Sequence, residues 1–447
     1  MSIVPHFGVS DKLPTGEDMV TVITDYAQQL ARYLPDARLR RVLSKALCGI
    51  LTHRSPVIAR MASVCSTPSD EPEAPAKQLR RFFANKRVTT RDLWKGIYQH
   101  TRSLVDVEQP TVVSVVIDGV NLEKPYARKM PGLSTIKKFS AANRYHDAQH
   151  KTELTRGFPA LATVALVQGL PALTFAHLFS YVDDRFRSVK REMRRAILTT
   201  KAVLCGYQVR FLGDREFDDD QVLLWMADGG NQFLVRAYHH RVIEAYDEAT
   251  ATWRRTSMQE CAETLSLPAR FSATFTHARK KRTALVRLGY CRIRIVSANN
   301  FECWFIVAHA SLFKKPLWLL TNVAIPDLHT AVSLWWQYRD RPKVEDLFRL
   351  LQERGLDIED IRLRAQDRIE KLMAVVWSAA QFLWQLSLTA STAMQRWLRR
   401  LGGKEDKARG SDGLYLLLYG LSVALLEYFV CLLRQYCEKT WLDANPP

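Results

Sequence analysis

"TVVSVVIDG", residues Thr111 to Gly119, decides the fold. Its apolar, β-branched run is broken only by Ser114 and is too short for a core helix. A strand with one wet face would alternate polar and apolar residues; this one does not, so it is read as covered on both faces. Asp118 and Gly119 then mark the point where the chain is expected to leave the sheet. The same pair also suits an ordinary strand-ending turn.

A buried strand needs paired neighbours and covering layers, and the residues downstream supply both. "ALATVALVQG" (Ala160 to Gly169) and "ALTFAHLFSY" (Ala172 to Tyr181) read as two further strands. A basic helix from Arg185 to about Gly206 follows, with seven Lys or Arg up to Lys201 against the single acid Glu192. "YQVRFLGDREF" reads as a strand ending at Asp214, and "NQFLVRAY" as another. Between them, "DDDQVLLWMADGG" is a helix capped by its acidic run and stopped by Gly229 and Gly230. This succession predicts an α/β core with mixed strand directions. From 238 to 315, short alternating runs such as "ECWFIVAHA" predict a β-rich insertion, and "PLWLLTNV" (Pro316 to Val323) is one more core strand.

The flanks read differently. Residues 1–107 are predicted to form a helical domain, with Asp36 capping "ARLRRVLSKALCGIL" and a loop beginning at Ser66. In "KQLRRFFANKRV", Arg80, Arg81, Lys86 and Arg87 alternate with Phe82 and Phe83, and residues 1–105 hold 16 Lys+Arg against 9 Asp+Glu. The pattern suits a nucleic-acid surface, and equally the solvated face of a helical bundle. The core is assigned to 108–380, and a helical C-terminal region to 381–447. Over all 447 residues the formal charge is +18, which favours a polyanionic partner.

The eight cysteines form no C-x-x-C pair; reduced core thiols are expected, as at Cys48 and Cys205. The N-terminus has no charged start followed by an apolar run, so a cytoplasmic chain is expected. Leu414 to Leu433 is apolar enough to imitate a membrane span. Glu427 within it, and the lack of a second comparable stretch, favour a buried helix or a dimer contact over a membrane.

Three acids stand out: Asp118 and Asp214 at expected strand ends, and Glu345 in "YRDRPKVEDLFRLLQ", Tyr338 to Gln352. On one helix, Tyr338, Arg341 and Glu345 would share a face, but Pro342 implies that the helix begins near it or, less favourably, kinks there. Glu345 could also pair with Arg341 or Arg349 on an exposed face. Three carboxylates from separate elements suit two-metal phosphoryl transfer, because hard divalent ions take oxygen ligands.

The motifs and their order resemble the DDE transposases of bacterial insertion sequences, in particular the "IS four" group with its ribonuclease-H-like core. That group carries Y-x2-R-x3-E-x6-K. Tyr338, Arg341 and Glu345 match, and Gln352 stands at the lysine position. "VIDGV", "LGDREF", "PLWLLTNV" and "QLRRFFANKRV" are similar to other parts of the group's pattern. The resemblance covers about residues 35 to 380.

It implies a ribonuclease-H-like mixed sheet with a β-rich insertion between helical flanks. Two Mg2+ or Mn2+ ions would be held by Asp118, Asp214 and Glu345. Tyr338, Arg341, Gln352, Arg215 and the basic cluster Arg80, Arg81, Lys86 and Arg87 would contact double-stranded DNA. The implied activity is cut-and-paste transposition on terminal inverted repeats and target DNA, by a homodimer at the bacterial nucleoid. The alternative is a catalytically inactive or repurposed DNA-binding relative.

Overall fold

The computed structural model describes residues 15–444 apart from 65–72, 128, 138–152, 239–240, 278–279, 353–354 and 404–411. Five helices come first: α1 (Gly16–Leu30), α2 (Ala37–His53), α3 (Ile58–Ser63), α4 (Ala74–Ala84) and α5 (Thr90–Glu108). Thr15 caps α1 in a reciprocal box with Asp18, Asp36 caps α2, and Thr89 caps α5, each satisfying amides that the first turn leaves bare. Gly96 of α5 lets that helix lie against the end of α1, where a β-carbon would come within 1.9 Å of the Leu30 carbonyl oxygen.

The sheet begins with β1 (Val112–Glu123), β2 (Ser134–Lys137), β3 (Leu154–Val167) and β4 (Leu170–Leu178). Then come α6 (Val189–Val203), β5 (Gln208–Gly213), α7 (Asp220–Ala227) and β6 (Gln232–Arg236). β1 runs parallel to β5 and β5 parallel to β6, while β3 is antiparallel to β1. β1 does not stop at Asp118 as its sequence suggests. It continues to Glu123 because β3 keeps pairing with it, as far as Glu123 opposite Gly157. Its parallel partner ends sooner: the β1–β5 pairing stops at Val116 opposite Leu212. Asp118 therefore sits in mid-strand, just past the point where one neighbour has ended.

The stretch expected as an insertion holds β7 (Val242–Asp247), β8 (Thr252–Ser257), α8 (Met258–Thr264), β9 (Ala269–His277), β10 (Lys280–Ile295) and β11 (Phe301–Ala310). These strands do not form a sheet of their own. β11 pairs with β12 (Leu317–Thr321), which pairs with β6, so one mixed sheet runs β2-β3-β1-β5-β6-β12-β11-β10-β7-β8, with β4 on β3 and β9 on β10.

The remaining helices are α9 (Leu328–Tyr338), α10 (Pro342–Gln352), α11 (Gln366–Thr389), α12 (Thr392–Leu401) and α13 (Asp412–Ala444). One face of β1, with Val116, Val120 and Leu122, joins a core shared with the N-terminal helices, α10, α11 and α13. The other, with Val113, Val115 and Ile117, packs under α6 and α7. The fold is thus mixed α/β with helical flanks. Alternation along β1 sends Asp118 to the same face as Val116 and Val120, toward α10.

Two sequence expectations change. α11 is also long and apolar enough to cross a bilayer, but its 18-residue window is 78% buried, which is what a core helix of that composition requires. Cys205 is exposed rather than packed; Cys48 is buried as expected, and Cys65 lies outside the described residues.

Candidate active site

Tyr338 and Glu345 are on different helices. α9 ends at Tyr338, a tight turn follows, and α10 opens with Pro342. Proline is tolerated there because a first-turn residue has no intrahelical amide bond to lose. The helix starts at Pro342, as that residue's place in the sequence suggests, so Tyr338 lies outside it and the break swings Arg341 and Glu345 over the sheet. It is braced by Arg339, which donates to the Thr274 carbonyl and stacks on Phe275 (4.6 Å), Trp336 (5.0 Å) and Trp335 (5.1 Å). On α10, Val344, Leu347, Phe348 and Leu351 are buried. That anchors one face of the helix while Glu345 stays half-buried at its edge.

Arg341 draws the three acids together. One terminal nitrogen donates to Asp118 Oδ2 at 2.8 Å and lies 3.4 Å from Asp214 Oδ2. Its other terminal nitrogen donates to Glu345 Oε1 at 2.8 Å. Asp214 is held from behind, since its Oδ1 accepts the Glu216 amide at 2.8 Å as the cap of the turn after β5. Asp118 Oδ1 accepts the Gly119 amide at 2.9 Å. The site lies where β5 ends beside β1, the carboxyl end of a parallel pair.

The charges are confined. The side chains of Arg341 and Asp118 are 15% and 16% exposed. Burial pushes the Asp118 carboxyl up to about 7; Arg341 opposes the shift, and Asp214 and Glu345 reinforce it. Burial also works against the guanidinium, but Asp118, Tyr338, Asp214 and Glu345 outweigh it and hold Arg341 more firmly protonated than usual. Burial raises the Tyr338 hydroxyl to about 12.

Three carboxylates offer only hard oxygen donors, the set that suits magnesium or manganese rather than a soft-ligand metal. Among the described residues, no three His, Cys, Asp or Glu stand ready to share an ion. The acids here are each turned onto Arg341 instead. The chemistry of the donors matches a hard divalent ion, while their present arrangement is an ion-pair cluster around one arginine.

Other expected residues lie elsewhere. Gln352 is buried, and its side-chain nitrogen donates to the Asn121 carbonyl at 2.7 Å, so it ties α10 to β1 and is not at the surface. Tyr338 is buried. Arg215 is half-buried beside Asp214, which takes its hydrogen bonds from Glu216 and Arg341. Arg80, Arg81, Lys86 and Arg87 are exposed around the α4–α5 turn, and Arg87 meets Asp36 at 3.3 Å. Their interleaved Phe82, Phe83 and Trp94 are buried, so these rings are core residues and not a stacking platform.

Sequence reading missed Arg236, the last residue of β6. Burial lowers its pKa, and Arg215, Tyr338, Asp214 and Arg341 all act on its charge, which places it at this same end of the sheet. The available signal was its position: a strand-terminal arginine parallel to, and next after, the strand ending at Asp214.

No protein-family profile matches the chain, and no curated protein does. Among solved structures, the chain is similar to a piggyBac transposase in its synaptic complex with hairpin DNA. The TM-score is 0.41 and the identity 9%, over 95% of this chain and 75% of that one.

Proposed function

We propose that the chain is a DDE-type transposase of the "IS four" kind, which cuts and joins DNA at Asp118, Asp214 and Glu345. The observation that carries this reading is the convergence of these three acids, from a mid-sheet strand, a strand end and a helix, onto one guanidinium. The strand path supports it: β4-β3-β1-β5-β6, with β3 antiparallel and β1, β5 and β6 parallel, is the order expected of a ribonuclease-H-like core.

Asp118, Asp214 and Glu345 would hold two Mg2+ or Mn2+ ions. When bound, such a pair stabilises the charge on the attacking and leaving oxygens of an in-line displacement at phosphorus. The protein's own part is positioning. β1 and the capped turn after β5 fix two acids, and the apolar face of α10 fixes the third. Arg341 and Arg236 offer cations to a phosphate brought to this end of the sheet. Hydrolysis exposing a 3′ hydroxyl and transfer of that strand to target DNA are both displacements at phosphorus, so one site serves both.

Duplex DNA, the terminal repeats and then the target, is the partner this chemistry and the +18 charge call for, with the bacterial nucleoid as its place. The exposed turn of Arg80, Arg81, Lys86 and Arg87 adds cations for its backbone. α13 supports a homodimer. Past Leu425 it exposes Leu426, Val430, Leu432 and Leu433, each more than a third accessible, an apolar surface among the described residues.

Nicking of supercoiled DNA in Mn2+ tests the reading. Wild-type protein is expected to nick, while Asp118→Asn, Asp214→Asn and Glu345→Gln are expected to fall roughly a thousandfold, the scale of losing a preorganised electrostatic partner. All four are expected to bind duplex with similar, steeply salt-dependent affinity. Full nicking by any one variant removes that residue from the site. Wild-type binding without nicking makes the chain a non-catalytic DNA-binding relative.

A further inference from the structure

We propose that Arg341 is the resident cation of the acidic site, occupying the space the divalent ions need, so that DNA loads the metals by drawing Arg341 away. This rests on the reading of Asp118, Asp214 and Glu345 as metal ligands and extends it to how the ions are admitted.

The geometry is specific. Three carboxylates this close repel one another strongly when no cation lies between them. Here a single guanidinium bonds to all three, at 2.8, 3.4 and 2.8 Å, using both of its terminal nitrogens. Each acid spends a carboxylate oxygen on Arg341, so none of the three can turn fully to a metal while the arginine stays. Arg341 is also poised to leave. Its Nε is buried and makes no hydrogen bond. It sits next to Pro342, in the turn between two helices and not inside either. A carboxylate and a phosphate compete for the same guanidinium face, because both accept its two parallel N–H donors.

When a backbone phosphate reaches this end of the sheet, the guanidinium transfers to it and frees the three acids together. Entry of divalent ions then replaces one positive charge by four beside the same carboxylates. DNA and metal thus favour each other's binding through one side chain, and linkage makes that coupling reciprocal. Free protein would be protected from loading metal away from DNA.

The test is Mn2+ binding to the full chain, followed by electron paramagnetic resonance of the free ion, with and without a duplex DNA oligonucleotide. In wild-type protein the duplex is expected to tighten Mn2+ binding about tenfold, within the usual range of coupling between sites. Arg341→Gln is expected to bind Mn2+ tightly without DNA and to gain almost nothing from it. Arg341→Lys keeps the charge but loses the two-pronged grip. It is expected to bind DNA-free Mn2+ more tightly than wild type, which separates displacement of the fork from mere removal of a positive charge. Thermal melts accompany each variant.

The idea is overturned if folded Arg341→Gln or Arg341→Lys binds Mn2+ no more tightly than wild type, or if duplex DNA leaves wild-type Mn2+ affinity unchanged. Asp118→Asn and Glu345→Gln keep this outcome distinct from a failure of the underlying site. If they bind Mn2+ as well as wild type does, the acids are not ligands at all. If they lose it while the arginine variants behave as wild type, the site stands and only the role of Arg341 falls.

Discussion

The helical body and the acidic end of the sheet bury polar groups in opposite ways. In the body, buried polar side chains are neutral or locally satisfied. His100 accepts from Gln385 at 2.7 Å, and the Ser378 hydroxyl of α11 donates to the Ala374 carbonyl at 2.8 Å. Lys371, the buried cation there, reaches Asp367 at 2.7 Å and two backbone carbonyls. At the acidic end, three like charges crowd one guanidinium and a carboxyl is pushed to about 7. The first arrangement stabilises the fold. The second crowds like charges and perturbs a carboxyl, at a local cost in stability.

Mutations should divide along that line. The largest stability loss is expected in the body: Phe382, fully buried with its ring 5.3 Å from that of Tyr26, leaves a cavity as Phe382→Ala at a cost of about 3–5 kcal/mol. Urea unfolding measures it, and a loss below 1 kcal/mol would show that α11 is not the spine of the body.

Acid should act next, again in the body. Burial holds the His100 pKa down to about 4 in the folded protein, against about 6.5 in an unfolded chain. Between those values the unfolded state binds more protons, so stability rises with pH through this window and is lost as pH falls through it. The contribution is on the order of 3 kcal/mol. Unfolding curves at pH 4 and pH 7 for wild type and His100→Gln would show it as a flatter pH dependence in the variant. Equal dependence in both would assign acid sensitivity to other groups.

Gln352→Lys lies on the border of the two regions. It puts an ammonium where a buried amide now bonds to Asn121, and is expected to cost about 1–3 kcal/mol. DNA affinity should be unchanged, because the side chain points at β1. A clear gain in duplex binding would mean that the lysine reaches out and that this corner is looser than its packing implies.

The smallest stability effect is expected at the site itself. Glu345→Gln removes one of three crowded charges while keeping the shape, and should shift stability by less than about 1 kcal/mol, in either direction. A loss as large as that of Phe382→Ala would make the acidic cluster a structural element and erase the contrast between the regions.

The two regions also differ in how well the sequence displays them. Caps such as Asp36, and Asp219 before α7, act on amides two or three residues away, so short stretches announce them. Asp214 at its strand tip and Pro342 at a helix start are local in the same sense. Asp118 misled for a local reason: Gly119 looks like a stop, but strand length is set by β3, a partner some forty residues on. The same holds for residues 238–315, whose alternating runs read as a separate insertion because only long-range pairing through β11 and β12 shows that they extend the core sheet. Gln352 stands at a position that the motif gives to DNA, and only the fold shows it buried against β1; Phe82 and Phe83, interleaved with the basic residues, are buried likewise.

Residue order alone determined the class of elements, the basic charge, the three acids and the arginine among them, because periodicity, capping and charge are carried by near neighbours. Tertiary structure alone decided that these acids meet around Arg341 and that Arg236 joins them. The contacts of Arg341 with Asp118 and Asp214 join residues more than a hundred positions apart. Their positions follow from which strand pairs with which and which face is buried, and no short window of sequence contains that information.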